Sequence, residues 1–201
     1  MAFTPRLTDS GIRGNHIWYS DNPFYPTYGM PNCTCYAWGR FWEISDPLGS
    51  QATKPTLPTS NGGQWYNQAT GYEKSTLLNP SLGAVICFSD DNGGAGHVAI
   101  VEQILNDGET IVCSNSAWES TFFYLTTLSR SNNYKYSHFT FQGFIYHPDY
   151  PPTPVVKPKR NGFKWYLYAD RIRERYIQWE QMHWHLFFFM LLTIILYYDI
   201  Y

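Results

Sequence analysis

The chain has 201 residues, of which 19% are aromatic, and its formal net charge at pH 7 is −2. Its length fits one domain with an appendage. The near-neutral charge excludes a basic face that could neutralise phosphates, so we expect no nucleic-acid partner. Residues 1–9 contain no apolar run, so we expect no secretory signal there, and unpaired thiols among the four cysteines fit a reducing cytoplasm.

The first predicted element is a helix over residues 33–44. Pro31 and Asn32 form a favourable helix entry, and the residues expected to face a core recur at helical spacing, namely Tyr36, Ala37, Arg40 and Phe41. Cys33 opens this helix, where unpaired backbone N–H groups and the helix dipole stabilise a thiolate and a developing oxyanion. Cys35 is the competing thiol. The two side chains lie about 200° apart around the axis, so only one of them can face a catalytic base.

The next informative element is a buried strand that begins at His97. A glycine-rich turn over residues 93–96 precedes it, and a run rich in β-branched residues, 98–101, follows it. Such a position holds an imidazole on a rigid element, as a general base requires. The chain has four cysteines and six histidines but no Cys-x-x-Cys or His-x-x-x-His pair, so we expect no metal and no cofactor.

A third element completes a catalytic group. Residues 110–113 predict a strand that runs antiparallel to the His97 strand through a turn at 106–108. The continuation of this strand brings Asn115 level with the far end of the hairpin, close to His97. An amide accepts a hydrogen bond from the second imidazole nitrogen and fixes its tautomer, as a carboxylate does. Cys33, His97 and Asn115 therefore form a predicted catalytic triad.

Three motifs carry a family resemblance: Cys-Thr-x-Tyr-Ala from Cys33, Gly-His-Val-Ala-x-Val-Glu around His97, and Ser-Asn-x-x-Trp around Asn115. In this order, across residues 10–147, the chain resembles the CHAP family (cysteine, histidine-dependent amidohydrolases/peptidases). These are papain-like peptidoglycan hydrolases, common in bacteriophage lysins and bacterial cell-wall enzymes. The resemblance implies an α+β fold with a nucleophile helix packed on an antiparallel sheet. It makes Cys33 rather than Cys35 the nucleophile, His97 the base and Asn115 the third residue, a position at which many members carry an acid.

Aromatic side chains are the expected substrate contacts, because flat apolar rings stack on the faces of sugar rings and hold peptide stems. We assign this substrate-binding role to Trp118, Trp65 and Tyr36. The alternative is that such rings bury a large area in a small core. That alternative is favoured for Trp38 and Trp42, which lie on the nucleophile helix.

The composition changes after the predicted catalytic domain, 1–147. Residues 148–162 predict a proline-rich, basic linker, and residues 163–201 predict an amphipathic helix that becomes entirely apolar. The apolar run, 186–198, has 13 residues, which make about 20 Å of helix against roughly 30 Å of bilayer core. Three interpretations stay open: insertion into a membrane, burial in an oligomer or among other virion or tail proteins, and packing against the hydrolase. The linker makes the last interpretation the least favoured.

Together these patterns predict a peptidoglycan hydrolase that cleaves an amide bond by a Cys-His-Asn mechanism. The bond is either that between N-acetylmuramic acid and L-alanine (an amidase) or one in the stem peptide or cross-bridge (an endopeptidase). A phage-borne enzyme is the simplest expectation, either carried in the virion tail or released from the host cytoplasm to the cell wall. The rival interpretations are a structural or anchoring phage tail component and a bacterial membrane-attached wall-remodelling protein.

Overall fold

The structure is a computed structural model that describes residues 2–153 of the chain. Two α-helices lie in this part, α1 at Cys33–Ser45 and α2 at Trp65–Gln68. Short 3-10 helices occupy Gln51–Thr53, Gly62–Gln64, Asn106–Gly108 and Arg130–Asn132. The helix predicted for residues 33–44 is thus confirmed, and it is one residue longer at its C-terminal end.

Six strands form one sheet in the described part: β1 at Lys74–Ser75, β2 at Val85–Asp90, β3 at His97–Leu105, β4 at Thr110–Asn115, β5 at Tyr124–Ser129 and β6 at Phe139–Ile145. Their order across the sheet is β1-β6-β2-β3-β4-β5, and all neighbouring strands are antiparallel. A helix packed on an antiparallel sheet confirms the predicted α+β class. The predicted turn joins β3 to β4, and its residues Asn106, Asp107 and Gly108 all have positive φ, a conformation that these residue types adopt readily.

Both faces of the sheet are buried, because alternate residues of a strand point to opposite sides. The face toward α1 includes alternate residues of β2 and β3, namely Val85, Cys87, Val98 and Ile100. The opposite face uses the residues between them and their neighbours on β4 and β6, namely Ile86, Phe88, Ala99, Val101, Cys113 and Phe144. Cys87 and Cys113 are therefore packing residues on opposite faces of the sheet, as their apolar surroundings in the sequence predict.

The three elements that carry the predicted triad, α1, β3 and β4, meet where β3 and β4 stop pairing. β4 pairs with β3 as far as Ile100 and Ser114. Past this point the chain leaving β4 contacts the residue that precedes α1, since the backbone N–H of Asn32 donates to Ser116 Oγ at 3.0 Å. The first turn of α1 is therefore held at the end of the sheet where β3 begins.

The start of the predicted linker is attached to the folded domain. Ser81 Oγ donates to the backbone carbonyl of Tyr150 at 2.6 Å. Asn79 Nδ2 donates to the backbone carbonyl of Thr153 at 3.2 Å. Hydrogen bonding of the domain therefore continues beyond residue 147, where the catalytic domain is predicted to end.

The remaining C-terminal predictions fall outside the described residues. These are the rest of the linker 148–162 and the helical segment 163–201, and both stay predictions. Within residues 2–153, no helix combines the length and the apolar character that a membrane crossing requires. The site described next lies entirely within this range.

Candidate active site

Cys33 is the first residue of α1, and the residue before it caps the helix. The side-chain oxygen of Asn32 accepts hydrogen bonds from the backbone N–H groups of Thr34 at 2.8 Å and Cys35 at 3.0 Å. A cap of this kind satisfies N–H groups that the first turn of a helix leaves unpaired. It also fixes the direction in which the helix starts, and hence the position of the Cys33 side chain.

The Cys33 sulfur lies against the start of β3. The backbone N–H groups of Val98, which follows His97, of Thr34 and of Cys33 itself favour its thiolate form. Burial raises the pKa of the Cys33 thiol above its ordinary value, and the three N–H donors, which lower the pKa, offset only part of this. The residue still keeps part of its surface exposed. The resting group is therefore a neutral thiol on a partly exposed residue, and the nearby N–H groups favour its thiolate form.

Cys35, the competing thiol, lies in the core. Its side chain has no exposed surface, and its sulfur donates to the backbone carbonyl of Trp18 at 3.5 Å. Burial, with a smaller contribution from the charge of Cys33, raises the pKa of Cys35 to about 12. The two thiols therefore have different environments, as their angular separation on the helix predicts, and Cys35 offers no surface to a substrate.

His97 and Asn115 form the hydrogen bond that the hairpin register predicts. Nε2 of His97 lies 2.9 Å from Oδ1 of Asn115. Nδ2 of Asn115 donates to the backbone carbonyl of Cys113 at 2.9 Å and to Thr126 Oγ1 at 2.5 Å, which fixes the orientation of the amide. Because the amide oxygen must then accept from His97, we assign the imidazole proton to Nε2. Nδ1 is left as the basic nitrogen.

Aromatic side chains enclose the His97 ring. Its centroid lies 5.4 Å from that of Phe139, 5.6 Å from that of Tyr136 and 6.3 Å from that of Phe88. Burial lowers the pKa of His97 to about 4, and the hydrogen bond to Asn115, which favours the charged form, opposes only part of this change. The imidazole is therefore neutral at pH 7, the state in which a general base accepts a proton.

Cys33 and His97 are neighbours without a direct hydrogen bond. Among the hydrogen bonds of the described residues, none joins the Cys33 sulfur to the His97 ring, whose Nε2 is bound to Asn115. Catalytic hydrogen bonds are often long in unliganded enzymes and shorten when substrate binds. The arrangement therefore suits a proton transfer that accompanies substrate binding.

Two of the predicted substrate contacts lie in the core instead. Trp65 and Tyr36 have no exposed surface. The Trp65 ring stacks on Phe24 with a centroid separation of 6.3 Å, and its indole N–H donates to the backbone carbonyl of Ser60 at 3.0 Å. Tyr36 packs edge-on against Phe123 at 5.9 Å. The substrate-binding prediction is wrong for both, because a large ring in a small domain stabilises the fold by being buried.

Trp118, the third predicted contact, lies on the surface. It is 48% exposed, and its ring meets that of Tyr28, 58% exposed, at a centroid separation of 5.6 Å. Trp38 and Trp42, in contrast, are buried in the core as predicted. Trp118 lies three residues after Asn115, on the segment that leaves the site. Its ring is therefore accessible, and its role in substrate binding stays a prediction.

Sequence reasoning missed a buried carboxylate that joins the catalytic elements. Both oxygens of Glu102 on β3 accept hydrogen bonds from Arg40 on α1, each at 2.9 Å. The same carboxylate accepts from Ser114 Oγ on β4 and from the backbone N–H of Arg6, each at 2.7 Å. One side chain thus connects the three elements that carry the predicted triad. The sequence contained one signal for this contact, the predicted core-facing position of Arg40, because a buried charge requires a partner of opposite charge.

Metal-ligating side chains do not gather in this part of the chain. Within residues 2–153, no three His, Cys, Asp or Glu side chains are arranged to hold a metal ion. The acidic turn before His97 is engaged in surface contacts, since Asp91 accepts from Lys135 Nζ at 3.0 Å and from Thr140 Oγ1 at 2.6 Å.

Comparison with protein families matches residues 23–117 to the CHAP domain. The matched span contains the starts of α1 and β3 and the end of β4, with Cys33, His97 and Asn115. The resemblance seen in the motifs is confirmed over this range, which is shorter than the 10–147 expected from the sequence. The comparisons with curated proteins and with solved structures gave no match.

Proposed function

We propose that the protein is a hydrolase that cleaves an amide bond of peptidoglycan, because residues 23–117 match the CHAP domain. Cys33 acts as the nucleophile, His97 as general base and then general acid, and Asn115 orients the imidazole. The observation that carries this proposal is the 2.9 Å contact between His97 Nε2 and Asn115 Oδ1. It leaves Nδ1 as the basic nitrogen of the residue that precedes Val98, whose backbone N–H acts on the Cys33 thiol.

The first half of the reaction forms a thioester. Nδ1 of His97 takes the thiol proton as the Cys33 sulfur attacks the carbonyl carbon of the substrate amide. A carbon–sulfur bond forms, and the carbonyl electrons move to the oxygen. The resulting oxyanion lies at the N-terminus of α1, where the Cys33 N–H and the helix dipole stabilise it. Protonated His97 then gives its proton to the leaving nitrogen, the carbon–nitrogen bond breaks and the amine departs.

The second half regenerates the enzyme. Neutral His97 takes a proton from a water molecule, whose oxygen attacks the thioester carbon. The carbon–sulfur bond then breaks, and the imidazolium returns its proton to the Cys33 sulfur. Throughout the cycle Asn115 accepts from Nε2–H and keeps the ring in one orientation. Each turnover consumes one water and yields one amine and one carboxylic acid.

The raised pKa of Cys33 is compatible with this chemistry. A positioned base contributes roughly 10²–10⁴-fold to the rate, and one oxyanion donor contributes roughly 10²–10³-fold. The three N–H groups around the Cys33 sulfur stabilise the thiolate as it forms. These N–H groups therefore offset, during proton transfer, part of the free energy that it costs to create a charge in a buried site.

Both predicted bonds remain within the proposal, because the muramoyl–alanine linkage and the peptide bonds of the stem and cross-bridge are all amides. The predicted delivery by a virion tail, or by release from the host cytoplasm, is a further proposal, and mass spectrometry of purified phage particles tests it. The same measurement on bacterial membranes tests the alternative of a membrane-attached remodelling protein.

The experiment compares two neighbouring thiols in the full-length protein. Purified cell walls are incubated with the wild type, Cys33→Ala and Cys35→Ala, while turbidity and new amine termini are followed. The wild type and Cys35→Ala release amines and clear the suspension, and Cys33→Ala does neither. Wall cleavage by Cys33→Ala would overturn the assignment. Mass analysis of the released fragments identifies the bond that is cut.

A further inference from the structure

Tyr28 and Trp118 form an exposed aromatic pair beside the catalytic elements. Their rings lie 5.6 Å apart at an interplanar angle of 73°, so they form a corner and not a flat stack. Tyr25, which is 43% exposed, lies three residues before Tyr28 in the chain and packs edge-on against Tyr19. Side chains of this size would stabilise the fold more if they were buried. Their accessible ring surface therefore calls for a functional explanation.

The Tyr28 side of the pair is held by a hydrogen-bonded turn. The backbone N–H groups of Tyr28 and Gly29 both donate to the carbonyl of Phe24, at 2.8 and 3.1 Å. The side chain of Phe24 is buried and stacks on Trp65. Phe24 thus anchors the turn in the core, while Tyr28 on the same turn stays in solvent. The exposure of Tyr28 is a property of an anchored turn.

The Trp118 side is held in a similar way. The backbone N–H of Ala117 donates to the carbonyl of Thr121 at 2.9 Å, and that of Ser120 donates to the carbonyl of Ala117 at 3.1 Å. Between them Glu119 has a φ of 51°, which closes the turn tightly. Trp118 therefore lies at the tip of a defined turn, and its ring position is set before any ligand arrives.

One hydrogen bond ties these two segments together at the nucleophile. The Asn32 N–H donates to Ser116 Oγ at 3.0 Å. Asn32 immediately precedes Cys33, and Ser116 immediately follows Asn115. The aromatic pair therefore lies on the segment that enters the site at its nucleophile and on the segment that leaves it after its third residue. Tyr28 lies five residues before Cys33, and Trp118 lies three residues after Asn115.

The chemistry of the pair favours a sugar over an aliphatic partner. Tyrosine and tryptophan combine a flat apolar face with one polar group at the edge. A pyranose ring offers the complement, since its C–H groups form an apolar face and its hydroxyl groups lie around the rim. The two most exposed aliphatic side chains of the described residues are remote in the fold, since Leu48 follows the end of α1 and Leu77 follows β1 at the sheet edge opposite β5. A third, Leu125, is 42% exposed and lies on β5 opposite Ser114. The preference for a sugar therefore rests on the amphipathic character of the two rings.

We propose that the Tyr28–Trp118 pair is a saccharide subsite that stacks on a pyranose ring of the glycan strand. This inference rests on the proposed function for the identity of the polymer. It names the glycan, rather than the peptide stem alone, as part of what the enzyme recognises. The pair binds in the ground state and touches no reacting atom, so it determines affinity and not the chemical step.

Calorimetric titration of the full-length protein with a tetramer of N-acetylglucosamine tests the subsite without catalysis. In a Cys33→Ala background, Trp118→Ala and Tyr28→Ala each weaken binding about tenfold, a loss of about 1.4 kcal/mol. Tyr28→Phe keeps the ring and binds like the parent, and Leu77→Ala, at the far edge of the sheet, is the matched control. Equal affinities for Trp118→Ala and Leu77→Ala would overturn the subsite. The subsite would also be overturned if the pair bound a free stem peptide and did not bind the sugar.

Kinetics on purified walls separate this inference from the proposed function. With Cys33 intact, Trp118→Ala raises KM about tenfold and leaves kcat within about twofold, because only ground-state binding is lost. If the wild type cut no wall and Trp118→Ala still abolished tetramer binding, the subsite would be upheld and the hydrolase rejected. If the wild type cut the wall and Trp118→Ala left the affinity for the tetramer unchanged, the hydrolase would be upheld and the subsite rejected. A change of oligomeric mass in Trp118→Ala would show that the pair contacts a second copy, and would also reject the subsite.

Discussion

The same helix and strands carry two buried polar clusters of opposite character. One, the ionic cluster, consists of Arg40, Glu102, Glu43 and Arg6. The other consists of Cys33, His97 and Asn115, and we call it the reaction centre because of the role that the proposed function gives it. Both clusters use α1, β3 and β4, and the residue beside Asn115 on β4 belongs to the hydrogen-bond network of Glu102. Since the scaffold is shared, the difference between them must come from their local environments.

The ionic cluster is charged in the resting protein. Burial opposes the charge of Arg40, but the hydrogen bonds and charge of Glu102 outweigh it, and the pKa of Arg40 rises. The side chains of Arg40 and Glu102 are 5% and 0% exposed. Their remaining hydrogen-bonding capacity is used by Glu43, by Ser114 and by backbone groups. A buried pair with its polar atoms satisfied in this way holds its elements in one geometry.

The reaction centre is neutral in the resting protein. Burial raises the pKa of Cys33 and lowers that of His97 to about 4, so neither group carries charge near pH 7. Charge appears there only when a proton moves during the reaction. The contrast teaches that this fold places permanent charge where geometry must be constant. It keeps neutral the groups whose charge must change.

The largest expected effect comes from breaking the ionic cluster. Glu102→Gln leaves the buried guanidinium of Arg40 without its main counter-charge and lowers the free energy of unfolding by about 3–5 kcal/mol. Glu109→Gln is the matched control, because Glu109 pairs with Arg130 on the surface at 3.1 Å and its loss costs less than about 1 kcal/mol. Urea unfolding measures both. Equal losses would show that the buried cluster does not fix the fold.

A second effect concerns the neutrality of His97. Because its folded-state pKa, about 4, lies below the ordinary 6.5, the unfolded chain binds a proton between these values that the folded chain does not. Stability contributed by this group is therefore full above pH 6.5 and falls as the pH drops toward 4, by about 3 kcal/mol. Urea unfolding at pH 7.5 and pH 4.5 shows a larger loss for wild type than for His97→Gln. The same loss in both proteins would place the shifted group elsewhere.

The third effect isolates the orientation of the imidazole. Asn115→Ala removes the acceptor of His97 Nε2–H and lowers kcat by about 10²-fold, a part of what a positioned base contributes. Thr126→Val is the control, because the backbone carbonyl of Cys113 still holds the amide in the same orientation, and kcat falls less than about threefold. Steady-state assays on purified walls give both values. If the two variants were equally active, Asn115 would not be the orienting residue.

Local sequence patterns are sufficient to predict the elements on which the three candidate residues lie. Cys33 was placed at a helix start by its helix entry and its periodicity, and His97 at a strand start by the glycine-rich turn before it. Asn115 followed from the register of one hairpin. Each of these inferences used contacts between residues close in the chain, where backbone geometry decides the outcome.

The contacts that were missed join residues far apart in the chain. Arg40 and Glu102 are 62 residues apart, and Asn32 and Ser116 are 84 apart. Such pairs depend on how the helix packs on the sheet, which no local pattern encodes. The burial of Trp65 was missed for a related reason, because the same side chain suits a cleft or a core.

The most direct test of the neutral reaction centre is the pH dependence of alkylation of Cys33 by iodoacetamide, followed by mass spectrometry. The other three cysteines are buried, and Cys33→Ala provides the background rate. A neutral pair predicts a slow reaction at pH 6 and a rate that keeps rising above pH 9, since only the thiolate reacts. A fast, flat rate between pH 5 and pH 8 would reveal a thiolate–imidazolium pair already formed at rest, and would contradict the contrast drawn between the two clusters.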